Sequence, residues 1–291
     1  MMDARNELRD GYADLGDVRL HYVEVGDGPL VVLLHGFPEF WYAWREQIRP
    51  LAAAGFRVVA PDMRGYNLSS RPASIKAYDN AALAGDVRDL VSERGAKSAL
   101  LVGHDWGGTA AWATAMYHPE VVDRMVILNA AHPRRLLHGL RTPHQLRKSW
   151  YFFYFQPPGL PEYTARARNW QFFRNFMRDA KPGSFTPEDW QSYTAAWSQP
   201  GAATGMINYY RSSVRNTHAE EQLRTVEAPT LVIWGQGDRY LGQELAEPLG
   251  SDVPNLAGVE RIPNASHWVH HDAPERVNQL MVDFFAPART R

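Results

Sequence analysis

A strand, a sharp turn and a helix follow one another around Asp105, and this segment constrains the fold most. Residues 100–102 form an apolar run that predicts a buried parallel strand, and residues 109–117 have the pattern of a helix. The glycines at 103 and 107 permit a sharp turn between them. In a G-x-Nu-x-G turn of this type the middle residue is the nucleophile, and here that residue is Asp105.

An aspartate in this position indicates a particular chemistry. A carboxylate suits displacement at a saturated carbon and leaves an alkyl ester to be hydrolysed, whereas a serine would attack esters and amides. The alternative is that Asp105 only caps the helix that follows it. The segment alone favours the nucleophile and leaves the cap open.

Composition limits the classes of partner. The chain has 291 residues, of which 45% are hydrophobic and 22% charged, so it can bury a large core as one globular unit with room for an inserted subdomain. A net charge of −1 offers no basic field for nucleic acid and no polybasic anchor for a membrane. The absence of cysteine excludes disulfides, thiolate metal sites and a cysteine nucleophile.

The sequence also carries an expectation about location. Residues 1–16 are polar and charged and lack the apolar centre of a secretory signal. No apolar stretch approaches the roughly 18 residues that a spanning helix needs. We therefore expect a cytoplasmic protein.

Short apolar runs alternate with helical stretches along the chain. Such alternation predicts βα crossovers and an α/β fold with a mostly parallel sheet. The predicted strands are residues 18–25, 30–34, 56–60, 99–102, 124–128, 230–234 and 258–262, and the predicted helices are residues 41–54, 80–94, 109–117 and 274–285.

One interval breaks this alternation. About a hundred residues separate the strand ending near 128 from the strand beginning near 230, far more than a crossover needs. This interval is rich in aromatic residues and prolines, which predicts a mainly helical lid over an apolar cavity, although any one aromatic is more often packing than lining. We predict a core in two parts, 1–132 and 223–291, with a helical cap at 133–222.

Five motifs together resemble the α/β-hydrolase fold, specifically its epoxide hydrolases and their relatives the haloalkane and fluoroacetate dehalogenases. The resemblance runs from about residue 18 to 285 and implies an eight-stranded, mostly parallel sheet flanked by helices, with an inserted lid. The motifs lie at residues 35–38, 62–69, 103–108, 234–238 and 264–268, and they read His-Gly-Phe-Pro, Asp-Met-Arg-Gly-Tyr-Asn-Leu-Ser, Gly-His-Asp-Trp-Gly-Gly, Trp-Gly-Gln-Gly-Asp and Asn-Ala-Ser-His-Trp.

The resemblance implies a catalytic triad in the order nucleophile, acid, base, which matches Asp105, Asp238 and His267. Asp238 follows a buried strand through a Gly-Gln-Gly turn, and His267 lies in the loop after the last strand. The carboxylate would orient the imidazole, and the imidazole would take a proton from water. Some dehalogenases place the acid after the strand that precedes the lid, but residues 129–132 contain no carboxylate.

Backbone and aromatic groups complete the predicted site. The N–H groups of Phe37 and Trp106 would form the oxyanion hole. In the family the proline of the first motif, here Pro38, is commonly cis. We expect substrate contacts from Trp150, Phe155 and Trp268.

The lid decides which electrophile is attacked. Epoxide hydrolases hold and protonate the epoxide oxygen with two lid tyrosines, and the match selects Tyr151 and Tyr210. Tyr154 and Tyr209 are the alternatives. The sequence thus predicts an epoxide hydrolase that forms a vicinal diol through a covalent ester.

The departures from the dehalogenases support that prediction. Trp106 and Thr109 stand where fluoroacetate dehalogenases carry arginines, and Phe37 stands where haloalkane dehalogenases often carry an asparagine. A dehalogenase with the same nucleophile remains the alternative function. A non-catalytic binding protein of this fold is a remote one.

No metal or cofactor is expected. His267, His270 and His271 show no metal-ligand spacing such as H-E-x-x-H. The other histidines, including His104, are expected to be structural or exposed. We expect a small hydrophobic epoxide and water as the partners, and a monomer or homodimer.

Overall fold

Eight strands form one sheet in the computed structural model, which describes residues 7–290. Residues 1–6 and 291, which the predicted core includes, lie outside the described residues. The strands are β1 (Arg9–Asp14), β2 (Arg19–Val25), β3 (Leu30–Leu34), β4 (Arg57–Pro61), β5 (Ala99–His104), β6 (Val122–Leu128), β7 (Thr230–Gly235) and β8 (Leu256–Ile262).

The strand order is β1-β2-β4-β3-β5-β6-β7-β8. Only β2 runs antiparallel to its neighbours β1 and β4, and the remaining pairs are parallel. The predicted α/β fold with an eight-stranded, mostly parallel sheet is confirmed. The strand pattern missed β1, because this edge strand buries only Ala13 and carries no apolar run.

Helices cover both faces of the sheet. They are α1 (Arg45–Ala53), α2 (Asn80–Glu93), α3 (Trp106–Tyr117), α10 (Val269–Asp272) and α11 (Pro274–Phe285). Because side chains alternate along a strand, Val32 and Leu34 belong to the apolar cluster that includes α2 and α3, while Val31 and Leu33 belong to the one that includes α1 and α11.

Two helix predictions need correction. The helix predicted at 41–54 is a short 3-10 helix at Trp41–Trp44 followed by α1. The helix predicted at 109–117 begins three residues earlier, at Trp106, directly after the turn that holds Asp105.

Six helices lie between β6 and β7, and we call them the helical insertion. They are α4 (Pro133–Gly139), α5 (Pro143–Lys148), α6 (Trp150–Tyr154), α7 (Leu160–Phe176), α8 (Pro187–Trp197) and α9 (Ala202–Arg215). Residues 167–170 interrupt α7 with non-helical backbone. Buried aromatic residues of the insertion share one apolar cluster with the α2 and α3 face of the sheet. Among the described residues, no helix is long and apolar enough to cross a membrane.

Arg211 fastens three parts of the helical insertion together. Its guanidinium donates to both carboxylate oxygens of Glu162 on α7, at 2.6 and 3.1 Å. It also donates to the carbonyl oxygens of Phe155 and Pro157, at 3.0 and 2.8 Å. These bonds hold the end of α6 against α9, the helix that carries Tyr210.

Replacing Arg211 tests how much these hydrogen bonds stabilise the protein. Arg211→Met should lower the free energy of unfolding by about 3–5 kcal/mol, because Glu162 would stay buried without its partner. Urea unfolding followed by tryptophan fluorescence measures the change. Arg141→Met is the matched control: its ion pair with Glu220 is exposed at both ends, 66% and 47%, so its loss should cost at most about 1 kcal/mol. Equal losses of unfolding free energy in the two variants would contradict this stabilising role of Arg211.

Candidate active site

Asp105 sits at a strained turn between β5 and α3. Its backbone angles are φ +51° and ψ −117°, a conformation that L-residues other than glycine rarely adopt. The side chain makes no capping hydrogen bond to α3. Instead, Asp105 Oδ1 accepts a hydrogen bond from the backbone N–H of Phe37 at 2.8 Å. The helix-cap interpretation is therefore wrong, and the carboxylate faces the β3–α1 loop.

Close packing explains the glycines around this turn. A Cβ on Gly107 would overlap the carbonyl oxygen of Leu34, and one on Gly103 would overlap the carbonyl oxygen of Gly107. Neither glycine has a positive φ, so the turn needs their small size rather than their conformational freedom. Gly36 has the same role from the other side, because a Cβ there would overlap Asp105 and lie 2.7 Å from its Oδ1.

The three predicted triad residues meet at the carboxyl edge of the sheet. His267 Nδ1 lies 2.7 Å from Asp238 Oδ2, and His267 Nε2 lies 3.6 Å from Asp105 Oδ2. Since a carboxylate can only accept, Nδ1 carries the hydrogen in this pair. The imidazole thus bridges the two carboxylates, and its Nε2 points towards Asp105.

Four donors hold the carboxylate of Asp238. Its Oδ1 accepts from the backbone N–H groups of Tyr240 and Leu241 at 2.7 and 2.8 Å. Its Oδ2 accepts from His267 and also from Asn129 Nδ2 at 2.7 Å. Asn129 was not predicted as a site residue, because only a carboxylate was expected at this strand end. The signal that could have identified it is an amide at the end of a strand, where one side chain can donate to Asp238 and accept from Gly235 N at 2.8 Å.

The three groups hold one another in their charged forms. Burial lowers the pKa of His267, but the charges and hydrogen bonds of Asp238 and Asp105 raise it well above its ordinary value. Burial raises the pKa of Asp105 and of Asp238, but the charge and hydrogen bonds of His267 lower both. These pKa shifts favour an imidazolium between two carboxylates in the resting site.

A cavity of about 90 Å³ joins Asp105 to the helical insertion. Asp105 lies at its base, with its side chain 20% exposed, and Tyr151 from α6 and Tyr210 from α9 line it with Trp106 and Phe152. This volume is far below the 300–1,000 Å³ of sites for drug-sized ligands, so the cavity is a small one.

The hydroxyls of the two alternative tyrosines are engaged elsewhere. Tyr209 donates to the carbonyl oxygen of Arg64 at 2.8 Å, and the hydroxyl of Tyr154 is hydrogen-bonded to Thr164 at 2.7 Å. Burial, followed by the negative charge of Asp105, raises the pKa of Tyr151 and of Tyr210 well above the ordinary value. Both are therefore neutral phenols that can donate a hydrogen bond to a group bound beside Asp105.

The two predicted oxyanion donors, the backbone N–H groups of Phe37 and Trp106, come from different parts of the chain. The backbone N–H of Phe37 already points at Asp105 Oδ1, and the peptide bond between Phe37 and Pro38 is cis, as expected. Trp106 follows Asp105 directly, and its ring contacts Tyr210 at a centroid distance of 5.1 Å. The oxyanion role of its N–H stays a prediction.

Three residues expected to bind substrate do not line this cavity. Trp150 is 50% exposed on the outer surface of the insertion. Phe155 is fully buried, and its ring packs against Tyr210 at 4.8 Å. Trp268 packs its ring against His267 at 5.0 Å and donates to Asp179. The structure brings the last two near the triad as supporting packing.

A second buried charge lies behind the triad, on Glu39. Its Oε1 accepts from Tyr193 at 2.7 Å and lies 2.7 Å from His271 Nε2, and its Oε2 lies 3.4 Å from ring nitrogens of His104 and His270. Burial raises the pKa of Glu39, but its histidine neighbours hold it well below the ordinary value. His104 Nε2 is 3.0 Å from the carbonyl oxygen of His267, so this cluster supports the loop that carries His267.

That cluster was not predicted. Glu39, His104 and His270 are the described residues that come nearest to a metal-ligand set, with one atom of each within 4.8 Å of the others. No motif spacing could reveal them, because they come from three separate parts of the fold: the loop after β3, the last residue of β5, and α10. Glu39 already has two close partners on Oε1, and these hydrogen bonds stabilise its buried carboxylate.

Comparison with known proteins agrees with this geometry. A family model described as alpha/beta hydrolase fold matches residues 29–274. The AB hydrolase superfamily protein YfhM of Bacillus subtilis (strain 168) is 40% identical over 94% of this chain and 96% of its own length. The chain therefore belongs to the α/β-hydrolase fold family.

Within that family, similar proteins include epoxide hydrolases. Epoxide hydrolase 4 of Homo sapiens is 37% identical over 92% of this chain and 75% of its own length. A solved structure of a Bacillus megaterium epoxide hydrolase in complex with an inhibitor superposes with a TM-score of 0.86 at 32% identity, and the match covers 95% of this chain and 100% of that chain.

The contact between Gly36 and Asp105 yields a test of the site. Gly36→Ala should abolish most of the turnover, because the added Cβ would displace the Asp105 carboxylate. The matched control is Gly85→Ala in α2, where nothing lies within 4 Å of the new Cβ. This control should keep full turnover and gain about 0.5–1 kcal/mol of stability. Steady-state kinetics and urea unfolding measure both, and an active Gly36→Ala enzyme would contradict the close approach.

Proposed function

We propose that this chain is an epoxide hydrolase that converts an oxirane to a vicinal diol through an ester on Asp105. One observation carries the proposal: the Asp105 carboxylate and the side chains of Tyr151 and Tyr210 line the same small cavity. A carboxylate facing neutral phenols can attack carbon while the departing oxygen receives a proton. The epoxide hydrolases among the similar proteins support the same activity.

Ring opening is the first step. An Asp105 oxygen forms a bond to an oxirane carbon as that carbon's bond to the ring oxygen breaks. Tyr151 or Tyr210 donates its phenolic proton to the ring oxygen, and the imidazolium of His267 restores that proton. General-acid assistance of this kind is needed because an alkoxide is a poor leaving group.

Esterification converts His267 into a base. Asp105 loses its negative charge when it becomes an ester, so one of the two carboxylates that raise the pKa of His267 is gone. The imidazole, now held only by Asp238, has given up its proton and can accept another. The binding of substrate carbon to Asp105 therefore switches the role of His267 from a counter-ion to a general base.

Ester hydrolysis completes the cycle. His267 takes a proton from water, and the hydroxide adds to the ester carbonyl carbon. The N–H of Phe37, already 2.8 Å from Oδ1, would hold the oxyanion with the N–H of Trp106. The tetrahedral intermediate expels the diol as an alkoxide, which takes the proton of the Asp105 carboxyl group. Asp105 and His267 regain their resting charges.

The chain's organisation serves the same proposal. Residues 133–222 would be the cap that supplies both tyrosines, and residues 1–132 and 223–291 the core that supplies the triad. A small hydrophobic epoxide fits the apolar lining of the cavity. The cytoplasmic location and the monomeric or homodimeric state stay predictions.

His267 can be tested by separating the two half-reactions. His267→Gln should still be alkylated by epoxide but should not turn over, since the ester would lack its base. Intact-protein mass spectrometry after epoxide addition detects the added mass. Asp105→Ala is the control and should show neither alkylation nor turnover. A His267→Gln enzyme that stays unmodified, or that turns over normally, would refute this role of His267.

The tyrosines distinguish epoxide hydrolysis from dehalogenation. Replacing both Tyr151 and Tyr210 with phenylalanine should slow alkylation at least about a hundredfold, the lower end of general-acid catalysis. Each single change should cost less, because the remaining hydroxyl can donate. Pre-steady-state tryptophan fluorescence measures the alkylation rate. Haloalkanes serve as the comparison, since halide departure needs no proton. Normal epoxide opening in the double variant, or a wild-type preference for haloalkanes, would favour the dehalogenase.

A further inference from the structure

The cavity extends to only one side of the catalytic tyrosines. Beyond Asp105, Tyr151 and Tyr210, its walls come from Trp106 and Phe152 and from aliphatic residues that include Leu136 and Leu223. An oxirane held between the carboxylate and the phenols has room for a substituent in this direction.

Aromatic rings close the opposite side. The ring of Phe37 packs edge-on against Tyr210 at 5.1 Å and against Phe176 at 5.5 Å. Phe155 packs against Tyr210 at 4.8 Å and against Phe176 at 6.1 Å. None of Phe37, Phe155 and Phe176 lines the cavity. The side of the oxirane that faces them is filled.

Phe176 is a partition between the ring of Tyr151 and the outer surface. Its inner side contacts the ring of Tyr151 at 5.6 Å, with the planes perpendicular at 87°. It also lines a depression of about 460 Å³ on the outer surface, together with Phe172, Tyr240 and Trp150. Phe176 itself is only 7% exposed. Removing this ring would extend the outer depression to the ring of Tyr151, which lines the catalytic cavity.

The shape of the cavity selects among epoxides. The two substituents of a trans-1,2-disubstituted oxirane point to opposite sides of the three-membered ring, so that substrate needs room on both sides. An oxirane with a single substituent needs room on one side only. We propose that this enzyme selects oxiranes with a single substituent, and that Phe176 is the residue that excludes a second substituent on the opposite side. This inference rests on the proposed epoxide hydrolysis.

Two substrates isolate the effect of the second substituent. Styrene oxide and trans-1-phenylpropylene oxide carry the same phenyl group, and the latter adds one methyl group on the other carbon. In the wild-type enzyme kcat/KM should fall about 10- to 200-fold from the first substrate to the second, the range for one methyl group misplaced in a tight apolar pocket. Because the methyl group also changes intrinsic reactivity, the decisive quantity is the change in this ratio between variants.

Phe176→Ala should open the second side. The ratio of kcat/KM between the two substrates should shrink at least about tenfold, the lower end of the same range, while kcat/KM for styrene oxide changes little. Phe172→Ala is the matched control: Phe172 lines the same outer depression and contacts Phe176 at 5.3 Å, so its loss enlarges the depression and leaves the partition in place. The control should keep the wild-type ratio.

The outcomes separate this inference from the proposed function. Equal use of both substrates by the wild-type enzyme would overturn the inference and leave epoxide hydrolysis standing. An equal change of the ratio in Phe176→Ala and Phe172→Ala would also overturn it. If Phe176→Ala does not fold, Phe176→Leu replaces the ring with a smaller side chain and should shift the ratio of kcat/KM in the same direction. Diol from neither substrate would refute the proposed function and this inference together.

Discussion

The negative charge of Asp105 is the constraint on which the rest of the site depends. A carboxylate withdrawn from bulk water must be paired or hydrogen-bonded, and each partner must be positioned in turn. Phe37 supplies an N–H and His267 supplies a positive charge; Asp238 orients His267, and Asn129 orients Asp238. Asp105 and these partners lie in loops at the carboxyl ends of β3, β5, β6, β7 and β8. A parallel sheet brings these strand ends to one edge.

The charge pairing between Asp105 and His267 would also determine the order of the two chemical steps. While Asp105 is charged, it raises the pKa of His267 and the imidazole keeps its proton. In the proposed cycle the ester removes that charge, so water is activated only after the ester has formed. If His267 were neutral in the resting enzyme, it would carry no positive charge, and the buried carboxylate of Asp105 would lose the partner that compensates its negative charge. The triad therefore needs a histidine that bridges both carboxylates rather than one that contacts only the acid.

The fold and the turn that holds Asp105 could be predicted because local sequence determines them. The apolar run before Asp105 and the small residues at 103 and 107 define the strand and the turn without reference to the rest of the chain. Asp238 and His267 were predicted from the resemblance of their motifs to the α/β-hydrolase fold, and in the structure His267 lies between Asp238 and Asp105. The predictions failed where local signals are weak. β1 exposes nearly all its side chains and was missed. The start of α3 was predicted three residues too late, because the strained turn is shorter than expected and the helix begins at Trp106.

The shape of the cavity could not be predicted, because it depends on contacts between distant residues. The sequence shows an aromatic insertion but cannot tell which rings line a cavity and which fill it; Phe155 packs with Phe37, whereas Phe152 faces the cavity. Glu39 and His104 are likewise paired only by the fold. Backbone position determines where the reacting groups lie, and side-chain packing determines what can reach them. A single ring such as Phe176 can therefore change without disturbing the triad, and it is at such positions that enzymes with this same catalytic apparatus are free to differ in substrate.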